Sequence, residues 1–277
     1  MSGTDSSILT DLRQQKPRIH CITNYVTAGF CADLLHACGA LPIMADAPEE
    51  AAAVTAHAAA LTVNLGTLSP ARLEAMLASG RAANRRGIPV VLDPVGAGAS
   101  AFRQQAADLL LKEIRFSAIR GNASEIRYLA GAHAVCSGAD VSEEDALSDA
   151  TRAQSYEIAA MFARKTGAVI LMTGGQDLLT DGNSAYFITN GHPMMSRITG
   201  SGCMLSAMTA AYLAVRPEHL LQASLTVLCA MGLSGELAAA RMLPQDGNAS
   251  FRCYLTDAVY NLTEQQLKEG ARYEVFC

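Results

Sequence analysis

Between Arg197 and Val215 the chain reads Arg-Ile-Thr-Gly-Ser-Gly-Cys and then continues as a segment rich in Ala, Leu and Met. Gly200 and Gly202 permit a tight turn and let the backbone approach a ligand closely. The segment behind them has helical composition. The first turn of a helix presents N–H groups without intrahelical partners at the positive end of its dipole. Such an end accepts a phosphate or a developing oxyanion. Cys203 falls on that first turn, where a thiol pKa tends to fall. A positive cradle beside an ionisable side chain suits phosphoryl transfer to a hydroxyl. The same letters also describe an ordinary tight loop followed by a buried cysteine, so the reading depends on the other stretches.

Asp93 follows Val-Val-Leu and precedes Pro94, which favours an extended geometry at the end of a strand. A carboxylate there suits Mg²⁺ held through water, or equally a turn in which it accepts nearby backbone N–H groups. In Asn122-Ala123-Ser124-Glu125 the spacing is that of a capping box. The same two side chains, turned into a crevice, would also organise Mg²⁺ and its waters. Arg120 suits phosphate oxygens or a solvated surface. Thr173-Gly174-Gly175 offers a hydroxyl and open backbone to a nucleotide phosphate, or simply a glycine turn. No P-loop sequence occurs, no Gly-x-Gly-x-x-Gly follows the first strand, and the six histidines lack metal spacing. His57 and His133 read as surface or helix residues.

The elements that must position these groups follow from periodicity and punctuation. Strands are expected at 18–22, 41–44, 60–64, 88–92, 118–120 and 168–172, with a hairpin of 178–180 and 185–189 joined by Asp181-Gly182-Asn183. Helices are expected at 6–15, 28–38 (stopped by Gly39), from Ser69-Pro70 onwards, and at 102–115, 124–130 and 143–167. The region after Glu218 reads as largely helical. Alternating helices and nearly continuous apolar strands imply an α/β fold, a mostly parallel sheet covered on both faces. No linker or composition shift divides it, so residues 1–277 read as one domain. In such sheets ligands bind beyond the carboxyl ends of the strands. Asn24, Asp93, Arg120, Asn122 and Thr173 all fall at or near those ends and should face one crevice beside the glycine loop.

Composition sets the outer bounds. Half of the 277 residues are hydrophobic, aromatics make up 5% and Trp is absent, so aliphatic side chains must fill the core. The net charge of -5 gives no basic field for nucleic acid, which points to small molecules. Eight cysteines show neither CxxC nor zinc spacing, and residues 1–17 lack the apolar run of a signal peptide. A reduced, cytoplasmic protein is expected, with no apolar run long and uninterrupted enough to span a bilayer.

Six stretches, taken together, resemble the hydroxyethylthiazole kinase family of the ribokinase-like fold. They are Cys-Ile-Thr-Asn-Tyr-Val (21–26), Gly-Ala-Leu-Pro-Ile-Met (39–44), Asn-Leu-Gly-Thr-Leu (64–68), Leu-Asp-Pro-Val-Gly-Ala-Gly-Ala (92–99), Ile-Arg-Gly-Asn-Ala-Ser-Glu-Ile (119–126) and Thr-Gly-Ser-Gly-Cys (199–203). The resemblance implies that ATP phosphorylates the primary alcohol of 4-methyl-5-(2-hydroxyethyl)thiazole, a salvage step towards thiamine. It places Arg120 and Thr173 at ATP, with Asp93, Asn122 and Glu125 around Mg²⁺. Gly200 and the loop through Gly202 become the anion hole. Asn24 and Met44 line the thiazole pocket, Met44 through its backbone and thioether. Cys203 stands where related kinases carry Asp and thiazole kinases carry Cys; Ser201 replaces a common Ala. The resemblance also implies a homotrimer with active sites shared between neighbours. Two other readings share the fold: a hydroxymethylpyrimidine-type kinase and an ATP- or ADP-dependent dehydratase of hydrated nicotinamide dinucleotide.

Overall fold

The computed structural model describes residues 3–132 and 149–277; His133, Cys136 and the start of the helix expected from Glu143 lie outside them. Among the described residues one sheet contains β1 (Arg18–Ile22), β2 (Leu41–Ile43), β3 (Ala60–Asn64), β4 (Val90–Asp93), β5 (Ala118–Asn122), β6 (Val169–Thr173), β7 (Asp177–Thr180), β8 (Ala185–Ile188) and β9 (Tyr273–Val275). Its spatial order is β2-β1-β3-β4-β5-β6-β7-β8-β9. The first six are parallel, and the last three extend the sheet antiparallel. β4 starts at Val90, not at Ile88, since Pro89 has no N–H to give the ladder. The region after Glu218 is largely helical, as expected, and ends in β9, which the sequence did not signal: it pairs with β8 at Tyr186↔Val275, and three residues are too few to show a period.

The strands are apolar on both sides because both faces are covered. Ile19, Cys21, Ala60, Val91 and Leu171 face a core shared with α1 (Ile8–Gln15), α2 (Ala28–Cys38), α8 (Ser201–Val215), α9 (Leu220–Ala240), α10 (Asn248–Asn261) and α11 (Glu264–Gly270). Their neighbours Ile22, Leu61, Val63, Leu92 and Ile170 face the other way, towards α3 (Pro48–Thr55), α4 (Pro70–Arg86), α5 (Ala101–Glu113), α6 (Ala123–Leu129) and α7 (Asp149–Thr166). This is the two-residue period of a strand applied to two cores. Full burial of each aliphatic side chain stabilises by about 1.5–3 kcal/mol, so leaving either face bare would be costly. Contrary to the sequence expectation, α9 is long and apolar enough to cross a membrane; 78% of its most apolar window is instead buried inside the protein.

Two arginines tie together the loops at the carboxyl ends of the strands. Arg72, on the first turn of α4, donates to the carbonyl of Thr23 and to Thr67 at both its carbonyl (3.1 Å) and Oγ1 (2.7 Å). Its Nε lies 3.2 Å from Asp46. Arg72 thus joins the loops after β1, β2 and β3. Arg103 of α5 donates to the carbonyls of Leu65 (2.7 Å) and Val95 (2.6 Å), joining the loops after β3 and β4. The backbone carbonyls that leave the sheet ladder here find partners in rigid, permanently charged side chains.

Candidate active site

The glycine loop and the strand ends do meet. α8 begins at Ser201 with Gly200 as its N-cap (φ 85°), a left-handed conformation that favours glycine. A Cβ at Gly200 would also stand 2.9 Å from Cβ of Thr27. The first helical hydrogen bond runs from Met204 N–H to the Gly200 carbonyl at 2.8 Å. The N–H groups of residues 201–203 therefore precede the ladder, and no side chain caps them. This is an anion cradle by geometry as well as by sequence.

Arg120, from the middle of β5, lies directly over that cradle. A Cβ at Gly202 would stand 2.6 Å from its Cζ and Nη2. The guanidinium donates to Thr173 Oγ1 at the end of β6 and reaches Asp93 Oδ1 at 3.9 Å. Asp93 ends β4 and is fully buried. Its Oδ2 accepts from Asn64 Nδ2 and from Ser206 Oγ, both at 2.9 Å. Its Oδ1 accepts no hydrogen bond. Burial pushes the Asp93 carboxyl above the usual carboxylate range, while Arg120, Ser206 and Asn64 work against that rise.

Asn122 and Glu125 form the capping box expected of them. Asn122 Oδ1 accepts from Glu125 N–H at 2.8 Å, and Glu125 Oε2 accepts from Asn122 N–H at 2.9 Å. The second carboxylate oxygen does more: Glu125 Oε1 accepts from Gly96 N–H at 2.9 Å, in the loop just past Asp93. The box therefore turns a carboxylate towards the β4 loop. Each of its oxygens keeps a further lone pair.

On the other side of the crevice, Cys203 Sγ accepts from Asn64 Nδ2 (3.2 Å) and Asn24 Nδ2 (3.3 Å). The expectation of a lowered thiol pKa is corrected here: burial, followed by the nearby Asp93 charge, pushes the Cys203 thiol up, and hydrogen bonds from Thr27, Asn64 and Asn24 only partly oppose this. The helix N-terminus alone would lower it; desolvation wins. Asn24 Nδ2 also donates to Asn64 Oδ1 at 3.1 Å. Its own Oδ1 accepts from the N–H and hydroxyl of Thr27, each at 3.0 Å. Asn24 is therefore fully hydrogen-bonded within the protein. Met44 lies just past β2 and is 39% exposed, as are its apolar companions Tyr25 (79%) and Val26 (54%) past β1.

Asp93, Arg120, Thr173, Gly202, Cys203 and Asn24 thus form one connected group, with Glu125 and Asn122 at its edge. Asn64 and Ser206 belong to it although the sequence assigned neither a role, Asn64 standing only as the first residue of the stretch 64–68. The available signals were slight: an Asn closing the apolar run Leu-Thr-Val, and a Ser one turn beyond the glycine loop in an otherwise apolar helix.

Comparisons with known proteins bear on the family and the fold. A profile described as the Hydroxyethylthiazole kinase family matches residues 9–265. The hydroxyethylthiazole kinase of Clostridium acetobutylicum is 47% identical over 268 residues, covering 97% of this chain and 98% of that protein. The solved hydroxyethylthiazole kinase of Pyrococcus horikoshii OT3 superposes with a TM-score of 0.85 at 30% identity, covering 98% of each chain. A ribokinase-like superfamily protein from Enterococcus faecalis V583 shares the fold at TM-score 0.57 and 14% identity, over 94% of this chain and 97% of its own.

Proposed function

The chain belongs to the hydroxyethylthiazole kinase family, and we infer that ATP and Mg²⁺ meet the thiazole alcohol at the carboxyl ends of β1 and β3–β6. The enzyme is a hydroxyethylthiazole kinase of thiamine salvage with a nucleotide phosphoryl donor, which sets aside the pyrimidine-kinase and dehydratase readings. Residues 1–277 act as one kinase domain, in keeping with a sheet that runs unbroken from β2 to β9.

The observation that carries the site is the meeting of the uncapped α8 N-terminus, Arg120 and the Asp93 carboxylate in one crevice. Phosphoryl transfer depends on positioning and on charge stabilisation more than on covalent chemistry. The N–H groups at 200–203 would hold the transferring phosphoryl group, with Arg120 above it and Thr173 fixing the guanidinium. Such preorganised donors act where charge develops. The residues also fit Mg²⁺. Asp93 Oδ1 is a buried oxygen without a hydrogen bond, Glu125 retains acceptor capacity, and Asn122 holds Glu125 in place. Mg²⁺ is commonly bound through one or two carboxylates plus substrate phosphates and keeps several waters. Bound there, Mg²⁺ would offset charge on the phosphate oxygens.

Cys203 sits on the alcohol side, as a neutral thiol oriented by two amides. It would orient the substrate hydroxyl and take its proton only weakly, since in a loose transition state the proton leaves late. Asn24 would shape the pocket floor and Met44 its wall. The test is ADP release with Mg-ATP and hydroxyethylthiazole, beside hydroxymethylpyrimidine and a no-alcohol control. Cys203→Ala should lower thiazole-dependent kcat about tenfold, short of the ~10²–10⁴ expected for a full general base. Unchanged turnover would remove Cys203 from the reaction.

Met44, Tyr25 and Val26, exposed just past the carboxyl ends of β2 and β1, would suit a neighbouring copy. We take the assembly to be a homotrimer with sites between subunits, as the family resemblance implies, in the cytoplasm, where free cysteines would stay reduced. Light scattering should give three times the 29.1 kDa chain mass; a monomer that turns over fully would refute shared sites.

A further inference from the structure

Asn64 is fully buried at the last position of β3. Its amide makes four hydrogen bonds. Oδ1 accepts from Gly66 N–H at 2.8 Å and from Asn24 Nδ2 at 3.1 Å. Nδ2 donates to Asp93 Oδ2 at 2.9 Å and to Cys203 Sγ at 3.2 Å. An amide has two donor hydrogens and two acceptor lone pairs, so nothing remains for a ligand. The two donor bonds are what matter: one ends on the metal-side carboxylate and the other on the thiol that faces the alcohol. The bond from Gly66 fixes the amide's orientation, because reversing it would set an NH₂ against the Gly66 N–H.

We propose that Asn64 is a positioning residue for the transfer step, its single amide setting the distance and orientation between the Asp93 carboxylate and the Cys203 sulfur. Ser206 supports the same arrangement from α8. Its hydroxyl is the second donor to Asp93 Oδ2. With Oδ2 held twice and Oδ1 held by no hydrogen bond, the carboxylate can present only Oδ1 to the crevice. Losing an orienting partner behind a ligating or reacting group commonly costs about 10- to 100-fold in metal affinity or activity. A misplacement of about 1 Å at a reacting centre can cost as much. The inference rests on the reading that Asp93 and Cys203 serve the transfer.

The experiment measures kcat and both KM values of the full-length enzyme with Mg-ATP and hydroxyethylthiazole. Asn64→Ala should lose about 10- to 100-fold in kcat, with both KM values within about twofold of wild type, because Asn64 touches neither substrate. In a Cys203→Ala background the same change should cost clearly less, since one of its two targets is gone. A purely structural role would give equal losses in both backgrounds, and that result, a raised KM with kcat intact, or no loss at all would overturn the proposal. Should Asn64→Ala fail to fold, Ser206→Ala takes its place: alanine suits the helix interior, and kcat should drop several-fold at unchanged KM. Full activity there would equally overturn it. Asp93→Ala separates the two levels. An inactive Asp93→Ala beside a fully active Asn64→Ala removes only this proposal; an active Asp93→Ala removes the site reading and the proposal with it.

Discussion

Asp93→Ala should lower kcat on the order of 10³-fold, with thiazole-dependent ADP release as the readout. Metal-assisted stabilisation of phosphate charge is worth several kcal/mol, and each 1.4 kcal/mol or so is about tenfold in rate. The carboxylate's environment also makes a second outcome specific. Burial raises the folded-state pKa of Asp93 above its unfolded value of 3.8. The folded chain thus holds this proton to higher pH than the unfolded chain does. Without metal, stability falls as pH rises from about 3.8 through the folded pKa, and the penalty persists above it. Asp93→Asn keeps the shape and an oxygen for Asn64 and Ser206 while removing the buried charge. The metal-free Asp93→Asn protein should therefore melt at or above the wild-type temperature at pH 7.5, while its turnover collapses with that of Asp93→Ala. Thermal melts and initial rates on one preparation check both, and a lowered melting temperature would contradict the burial argument.

Gly202→Ala should leave the fold standing and cut kcat/KM for ATP about 10²-fold. The added methyl meets no backbone within its closest contacts; it meets Nη1, Cζ and Nη2 of Arg120. A guanidinium on a long side chain can swing aside, but only by leaving Thr173 and Asp93. A displacement of about 1 Å at a reacting centre can cost 10²-fold. Gly200→Ala is the informative contrast. Its Cβ would press on Thr27, and φ 85° is strained for any side chain, a cost of about 1–3 kcal/mol. That variant should lose melting temperature as well as rate. If Gly202→Ala retained wild-type kcat/KM, Arg120 would not be the phosphate ligand described above.

Much of this arrangement was legible before any coordinates. Gly39 and Gly200, the Ser69-Pro70 start and the Asn122–Glu125 box are local signals, and local signals survive into the fold. The convergence of Asp93, Asn122 and Thr173 followed from one topological rule for parallel sheets. What stayed hidden was non-local. Ser206 is one hydroxyl in an apolar helix until α8 packs beside β4, and only then is it a donor to Asp93. Asn64 looks like a strand end until Cys203 arrives. The Cys203 thiol shows the limit most plainly: the helix N-terminus is readable in sequence, but the burial that overrides it is a property of the assembled interior. Arg72 likewise reads as an ordinary helix residue, and its ties to three loops appear only once β1, β2 and β3 lie side by side.

The bonds that define the crevice join distant parts of the chain. Asn24 to Cys203 spans 179 residues, Asn64 to Cys203 spans 139, and Asp93 to Ser206 spans 113. Closing loops of that length carries an entropic cost before any contact returns it, and high contact order slows folding. During synthesis the β1–β6 half can find its own pairings, yet the phosphate cradle does not exist until α8 has emerged and docked. Competence for catalysis is thus a late event in the life of each molecule, and recovery of turnover reports complete folding more faithfully than recovery of secondary structure.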